Sequence, residues 1–424
     1  MLDAVGAASV EDLFKEIPAG YRDPSLDLPP PLSEFEVRQE IEEMARANMV
    51  PGDYACFLGA GSYRHFVPAV VRQIASRGEF MTSYTPYQPE VAQGTLQTTY
   101  EFQTLVCQLM GMEVANAGMY DGSTSLAEAA LMAARITKFN RVAVLDTVSP
   151  AYRDVLQTYM DAPGIDIDTV SSNGNLDFKE GTACLIVQQP NFFGYMEDMD
   201  RLSATAHDQG ALLVVYADPM ATGMFRPPGD YGADIVAAEG QSLGAPPSFG
   251  GPYVGIFACQ EKHMRQMPGR VVGKTVDSRG KTGYVLTLQT REQHIRRERA
   301  TSNICTSVAL VALTTTAYMA ALGRRGIRSI AELCYHKAHY AASLIGGIPG
   351  YSLPLDGTFF REFVVRCPLP PAQINERLLD YRIIGGLDVS SSISNGMLVC
   401  ATEMNSRQEI ESLARALAEI GGGT

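Results

Sequence analysis

Hydrophobic and polar positions change their rhythm twice along this chain. Over the first fifty residues, helical spacing of apolar residues is seen in "EFEVRQEIEEMARAN" (34–48), which opens on "SEFE" at Ser33. A hydroxyl residue followed three positions later by a carboxylate is a capping box, so a helix is predicted to start there. "SVED" at Ser9 has the same form. Between them, "YRDPSLDLPPPL" (21–32) carries too much proline for a helix. An arm and a helix ahead of any strand predict a segment that packs on something else.

From about residue 100 the apolar runs shorten and become strand-like: "RVAVLD" (141–146), "ACLIVQQP" (183–190), "ALLVVYADP" (211–219), "ADIVAAEG" (233–240) and "YVGIFAC" (253–259). Several are continuous rather than alternating, as strands covered on both faces are. Helical stretches, "TSLAEAALMAARITKF" and "DMDRLSATAHDQG", lie between some of them. This alternation predicts an α/β fold with a mainly parallel central sheet. A long helical run (314–345) then leads to "EFVVRCP" and "GMLVCATE" around "PAQINERLLDYR", closed by "SRQEIESLARALAEI". The expected division is an N-terminal arm with helices over 1–95, a large α/β domain over 96–320, and a small C-terminal α+β domain over 321–424.

Composition narrows the partners. A net charge of −13 argues against nucleic acid and against an anionic membrane surface, both of which call for a basic face. The eight cysteines form no CxxC pair, and most lie in apolar runs such as "GTACLIVQQ". That usage fits a reducing compartment better than a disulfide framework or a zinc site. With no basic-then-apolar leader and no apolar run of membrane length, the expectation is a cytoplasmic protein.

Two motifs fail on inspection. "FLGAGSYRH" (57–65) begins like GxGxxG, but Arg64 stands where the last glycine belongs. "PGRVVGKT" (268–275) ends like a phosphate loop, but Pro268 replaces its first glycine and no clear strand precedes it. The histidines show no metal-ligand spacing, and no metal is expected.

Three features survive. "YDGSTSLAEAALMAAR" (120–135) opens a helix with small polar residues; its free N–H groups with Ser123 and Thr124 suit a phosphate. The same residues equally make a plain N-cap, which the pattern alone favours. "VVYADPMATG" ends a buried strand on Asp218, placed as a carboxylate that pairs with a pyridoxal-phosphate ring nitrogen and keeps it protonated would be. Then "AAEGQSLGAPPSFGG" offers Gln241 and Ser242 in the turn where a cofactor-binding lysine belongs. The seven lysines are Lys15, Lys138, Lys179, Lys262, Lys274, Lys281 and Lys337, so none falls between 179 and 262. A Schiff base needs an amine, which neither an amide nor a hydroxyl supplies.

With these residues in view, "FLGAGSYRHFVPAVV", "SYTPYQPEVAQGTLQTTYEFQTLVCQLMGMEVANAGMYDGS", "AAEGQSLGAPPSFGGPYVGIFA" and "REQHIRRERATSNICTSVAL" resemble the subunit 1 (alpha) chains of two-subunit glycine dehydrogenase (decarboxylating), the P-protein of the glycine cleavage system. The resemblance implies a type I pyridoxal-phosphate-dependent transferase-like fold and an α2β2 assembly with a beta chain (subunit 2). It implies that beta alone holds the cofactor, with none bound covalently here and Ser123, Thr124, Asp218, Gln241 and Ser242 as vestigial positions. Together the chains would decarboxylate glycine and pass the aminomethyl group to the lipoyl arm of H-protein. Tyr84, Tyr87 and Gln88 in "SYTPYQPE" would then face the junction and the mouth of the shared site. Arg297, Thr301, Ser302 and Asn303 in "REQHIRRERATSN" would do likewise, the arginines meeting an acidic partner surface. From the residues alone, "SYTPYQPE" equally makes a well-packed internal loop, Thr301–Asn303 equally serve to cap the next helix, and the arginines to solvate a helix face. Two other readings stay open: a stand-alone pyridoxal-phosphate enzyme using Lys262, Lys274 or Lys281, and a non-catalytic scaffold of this fold.

Overall fold

The computed structural model describes every residue except Asn173, Asn175, Ser307, Gly423 and Thr424. The described chain divides into two compact units, Met1–Asp53 and Tyr54–Thr424.

In the first unit the Ser33 capping box forms as predicted. Ser33 Oγ accepts from Glu36 N, Glu36 Oε2 accepts from Ser33 N at 2.8 Å, and the helix Glu34–Arg46 follows. The Ser9 motif also closes, with Asp12 N donating to Ser9 Oγ, but it starts only a four-residue 3-10 helix, Glu11–Phe14. No residue of this unit is buried, and Phe14, Tyr21, Leu28, Phe35 and Ile41 stand exposed.

The second unit begins with a two-residue strand β1 (Ala55–Cys56) and then builds a seven-stranded sheet. Its strands are β2 (Val114–Ala115), β3 (Arg141–Leu145), β4 (Asp166–Val170), β5 (Thr182–Gln189), β6 (Leu212–Ala217), β7 (Ile235–Glu239) and β8 (Gly255–Cys259), in the spatial order β2-β8-β7-β6-β5-β3-β4. The run from β7 to β4 is parallel, and β8 pairs antiparallel with both β7 and β2. The continuous apolar runs are buried, as two-sided cover requires: β8 is buried throughout, and β5 at every residue but Gln188. The helix Gly122–Thr137 packs across β5 to β8 on a face of small residues, Ala127, Ala130 and Ala133 among them, which lets it approach closely.

Strands β9 (Val271–Val276) and β10 (Thr282–Thr287) form an antiparallel hairpin turning at Gly280. The sequence pattern had suggested only a failed phosphate loop here; Lys274 lies on the hairpin's first strand instead. The long helix Ala309–Gly346 matches the predicted run but breaks at Gly323, whose φ of 59° and ψ of −177° only glycine holds easily. Beyond it lie β11 (Glu362–Arg366), β12 (Ile383–Ile384, paired with β1), β13 (Leu387–Asp388) and β14 (Gly396–Cys400); β11, β14 and β13 make a small antiparallel sheet. With the helices Pro371–Leu378 and Arg407–Gly422 it encloses a core of its own, including Phe363, Val399 and Leu413. The architecture is the expected α/β fold with a mainly parallel sheet and a smaller α+β part.

Candidate functional site

In open parallel sheets, sites form where the carboxyl ends of strands leave a crevice. Here β5, β6 and β7 end at one cleft, lined by Gln188, Asp218, Glu239, Gln241 and Ser242, with Gly61, Tyr63, Tyr152 and Tyr216 beside them and Arg361, just before β11, and Glu362, its first residue, entering from the other side. The sequence reading placed Asp218, Gln241 and Ser242 at one site, and the fold brings them together.

Asp218 is held rather than free. Its Oδ1 accepts from Met220 N at 2.9 Å, and its Oδ2 pairs with Arg361 Nη2. Arg361 is 1% exposed and lies 3.3 Å above the centroid of the Tyr63 ring, a close cation–π stack. Its Nη1 donates to His65 Nε2 at 2.6 Å. A guanidinium only donates, so His65 Nε2 is an acceptor, and Nδ1 carries the proton given to Glu403 Oε2 at 2.7 Å. Burial tends to push the Glu403 carboxyl up, but His65 and the other donors outweigh it and hold it below its ordinary value. Cys334 Sγ donates to the same oxygen. The ligand atoms of His65, Cys334 and Glu403 lie within 4.8 Å of one another, but the adjacent guanidinium makes this a poor place for a cation.

Gln241 spends its whole amide on structure. Its Oε1 accepts from Tyr63 N at 2.8 Å, and its Nε2 donates to Tyr63 O and Ala245 O. Ser242 Oγ, in a residue 2% exposed, has no partner among the described residues. Among the described residues, no lysine lines the cleft. Lys337 donates to the Glu403 carbonyl. Lys262 pairs with Asp234, at the opposite end of β7 from Glu239, and Lys274 and Lys281 are exposed on the hairpin.

The start of the helix Gly122–Thr137 is also taken. Asp121 Oδ1 accepts from Thr124 N at 2.9 Å and from Ser123 Oγ at 2.5 Å, so both sequence-picked hydroxyl residues belong to an N-cap. Gly122 N donates to Glu239 Oε2 at 2.8 Å, while Glu239 Oε1 accepts from Gln241 N at 2.9 Å. Burial pushes the Glu239 carboxyl up to about 7 despite these donors. Tyr152 and Tyr216 close the wall, rings 4.5 Å apart and hydroxyls 2.9 Å apart. The void left is about 30 Å³, room for about two waters. A phosphorylated pyridine ring does not fit: its volume is filled, its acid partner is paired, and its phosphate would meet two carboxylates.

Sequence reasoning missed Glu239, Arg361, His65 and Glu403. A signal existed for two: Glu239 is the lone charge ending an apolar strand, and Arg361 interrupts "FFREFVV".

The second group of sequence-picked residues lies elsewhere on the unit. Tyr84 and Tyr87 are 73% and 56% exposed, with Gln88 exposed beside them. Arg270 ties that segment to the arginine-rich one. Its guanidinium lies 5.6 Å from the Tyr87 ring, donates to Cys305 O at 2.7 Å, and sits 3.6 Å from Glu292. Arg297, like Arg296 and Arg299, is exposed, whereas Arg291 is buried and donates to Leu288 O and Gly269 O. Thr301, Ser302 and Asn303 do not cap the next helix, which starts only at Ala309 with Val308 as its N-cap. Ser302 Oγ instead donates to the buried Glu128 at 2.7 Å, and Thr301 N donates to Arg291 O.

The fold is that of the pyridoxal-phosphate-dependent fold-type I enzymes. Structures under 25% identical share the fold alone: a sphingosine-1-phosphate lyase of Burkholderia pseudomallei superposes with a TM-score of 0.65 at 16% identity, over 95% of this chain and 94% of that one. A family model described as glycine cleavage system P-protein matches residues 1–417. The probable glycine dehydrogenase (decarboxylating) subunit 1 of Thermomicrobium roseum is 52% identical over 99% of this chain and 96% of its own length. That of Desulforamulus reducens is 48% identical over 99% and 97%. A crystal structure of glycine decarboxylase (P-protein) of the glycine cleavage system, in inhibitor-bound form, superposes with a TM-score of 0.93 at 44% identity, over 99% of this chain and 97% of that one. The chain belongs to the glycine cleavage system P-protein family, among its subunit 1 chains.

Proposed function

We propose that this chain is the cofactor-free subunit of a two-chain glycine decarboxylase, completing a site whose pyridoxal phosphate and lysine belong to the companion subunit 2, in an α2β2 assembly. The observation that carries this reading is a fold-type I cleft with no lysine on its walls. The chemistry of amine attachment cannot be met by Gln241 or Ser242, so the covalent step falls to another chain. The assembled enzyme releases CO2 from glycine and delivers the aminomethyl group to the lipoyl disulfide of H-protein.

In this reading the chain's contribution is made at its surface. Tyr84, Tyr87 and Gln88 face the companion, on a segment that Pro86 and Pro89 stiffen and so make less costly to order. Exposed Arg296, Arg297 and Arg299 offer guanidinium forks to acidic groups of H-protein. Together they shape the lipoyl channel and keep water from the companion's reacting centre. The protein is read as cytoplasmic.

Co-expression with subunit 2 tests the proposal. The pair should exchange bicarbonate into glycine with H-protein, and subunit 2 alone should not. Equal exchange without this chain would make it a scaffold. The yellow absorption of lysine-bound pyridoxal phosphate in this chain alone would make it a complete enzyme, against the placement of Lys262, Lys274 and Lys281 away from the cleft.

A further inference from the structure

Loss of a lysine would by itself leave an empty pocket, and this cleft is full. The strand-end acid and the helix start already have partners of the charge and hydrogen-bonding character a cofactor would bring. Asp218, the acid at the end of β6, meets a buried cation that donates to it, as a protonated ring nitrogen would. That cation is planar, lies against an aromatic ring at 3.3 Å, and is anchored from behind by His65 and Glu403. The helix start, where free N–H groups favour an anion, meets the carboxylates of Asp121 and Glu239. Two buried polar groups on the cleft keep the imprint of a polar occupant: Ser242 Oγ and Arg361 Nε have no partner among the described residues.

We infer that the chain carries built-in stand-ins for a cofactor, with the Arg361 guanidinium in the place of a protonated ring beside Asp218, and the Asp121 and Glu239 carboxylates in the place of a phosphate at Gly122. The cleft is thus self-liganded, and restoring the lysine does not restore a cofactor site. This deepens the reading of the chain as the cofactor-free subunit and rests on it.

The stand-ins make the geometry testable by replacing each with a free ion of the same charge. Asp121→Asn with Glu239→Ser removes both charges and keeps a good N-cap. At pH about 8, about 20 mM phosphate should raise the Tm of this double variant by roughly 2 °C over chloride at matched ionic strength, and should leave the wild type unmoved. Arg361→Gly should be melted at lower temperature and regain roughly 2 °C or more with about 20 mM free guanidinium, again without effect on the wild type. Gln241→Lys, which keeps both stand-ins, should fix no pyridoxal phosphate on borohydride reduction, read by intact mass. The inference is overturned if phosphate stabilises the wild type as much as the double variant, if neither ion restores its variant, or if Gln241→Lys alone is labelled once per chain. All three readouts use the isolated chain, so they can fail while the exchange assay with subunit 2 succeeds, and the reverse.

Discussion

Arg361 pairs with Asp218 across 143 residues of sequence, inside the cleft at the carboxyl ends of β5, β6 and β7. The pair joins the small antiparallel sheet to the end of β6, so it ties two cores together as well as filling a pocket. Buried pairs owe their stability to complete satisfaction; breaking one leaves an uncompensated charge.

Arg361→Met should therefore destabilise the chain by about 3–5 kcal/mol, because Asp218 and Glu362 are left as buried carboxylates without their cation. Arg361→Lys should recover little of it, since a point charge can neither fork between Asp218 and His65 nor stack flat on Tyr63. Urea midpoints of the three proteins check the order.

Glu239 sets a pH dependence. Its carboxyl is pushed up to about 7 by burial, above its ordinary value of 4.5. The folded state thus keeps its proton to higher pH than the unfolded chain, and this group's contribution is full below about 4.5 and lost as pH rises through 7. The stability difference between wild type and Glu239→Gln should fall by on the order of 3 kcal/mol between about pH 5 and pH 8. A flat difference in paired denaturation curves would place the carboxyl's titration outside that window.

Gly122→Ala should cost about 1–3 kcal/mol, although the position is helical and alanine is the better helix former. An added Cβ would stand 2.5 Å from Tyr216 Oη and 2.9 Å from Glu239 N, and the backbone there has no room to yield. Thermal melts of the variant report it.

Tyr84→Ala with Tyr87→Ala should leave the isolated chain's stability within about 0.5 kcal/mol per site, as exposed positions do, while weakening association with subunit 2 by tenfold or more (~1.4 kcal/mol). Sedimentation of the mixed subunits measures the second effect and calorimetry of the single chain the first.

Arg296, Arg297 and Arg299 changed together to Glu should slow H-protein-dependent exchange most at low salt, because exposed charges act through a screened field. A salt-independent loss would point to a structural role for the segment.

The sequence by itself determined the elements whose cause is local. Strands β3, β5, β6, β7 and β8 were legible because burial on both faces leaves continuous apolar runs, and the Ser33 helix because its cap is written within four residues. The absence of a lysine between 179 and 262 was equally plain, as was the family, because both are facts about residue identity. The alternating "DIDTV" of β4 and the hairpin β9–β10 were not read, since each is short, polar and half-covered, and a partner strand decides its state. The site was legible only in part. Asp218, Gln241 and Ser242 stand at strand ends and announce themselves, but nothing local says that Glu239 will reach Gly122, 117 residues away, or that Arg361 will arrive from another sheet to meet Asp218. The first pairing exists because a helix packs on the sheet within one core and the second because two cores close on each other; both exclude the water that would otherwise satisfy every charge, and only the tertiary structure settles which groups are left facing when it has gone.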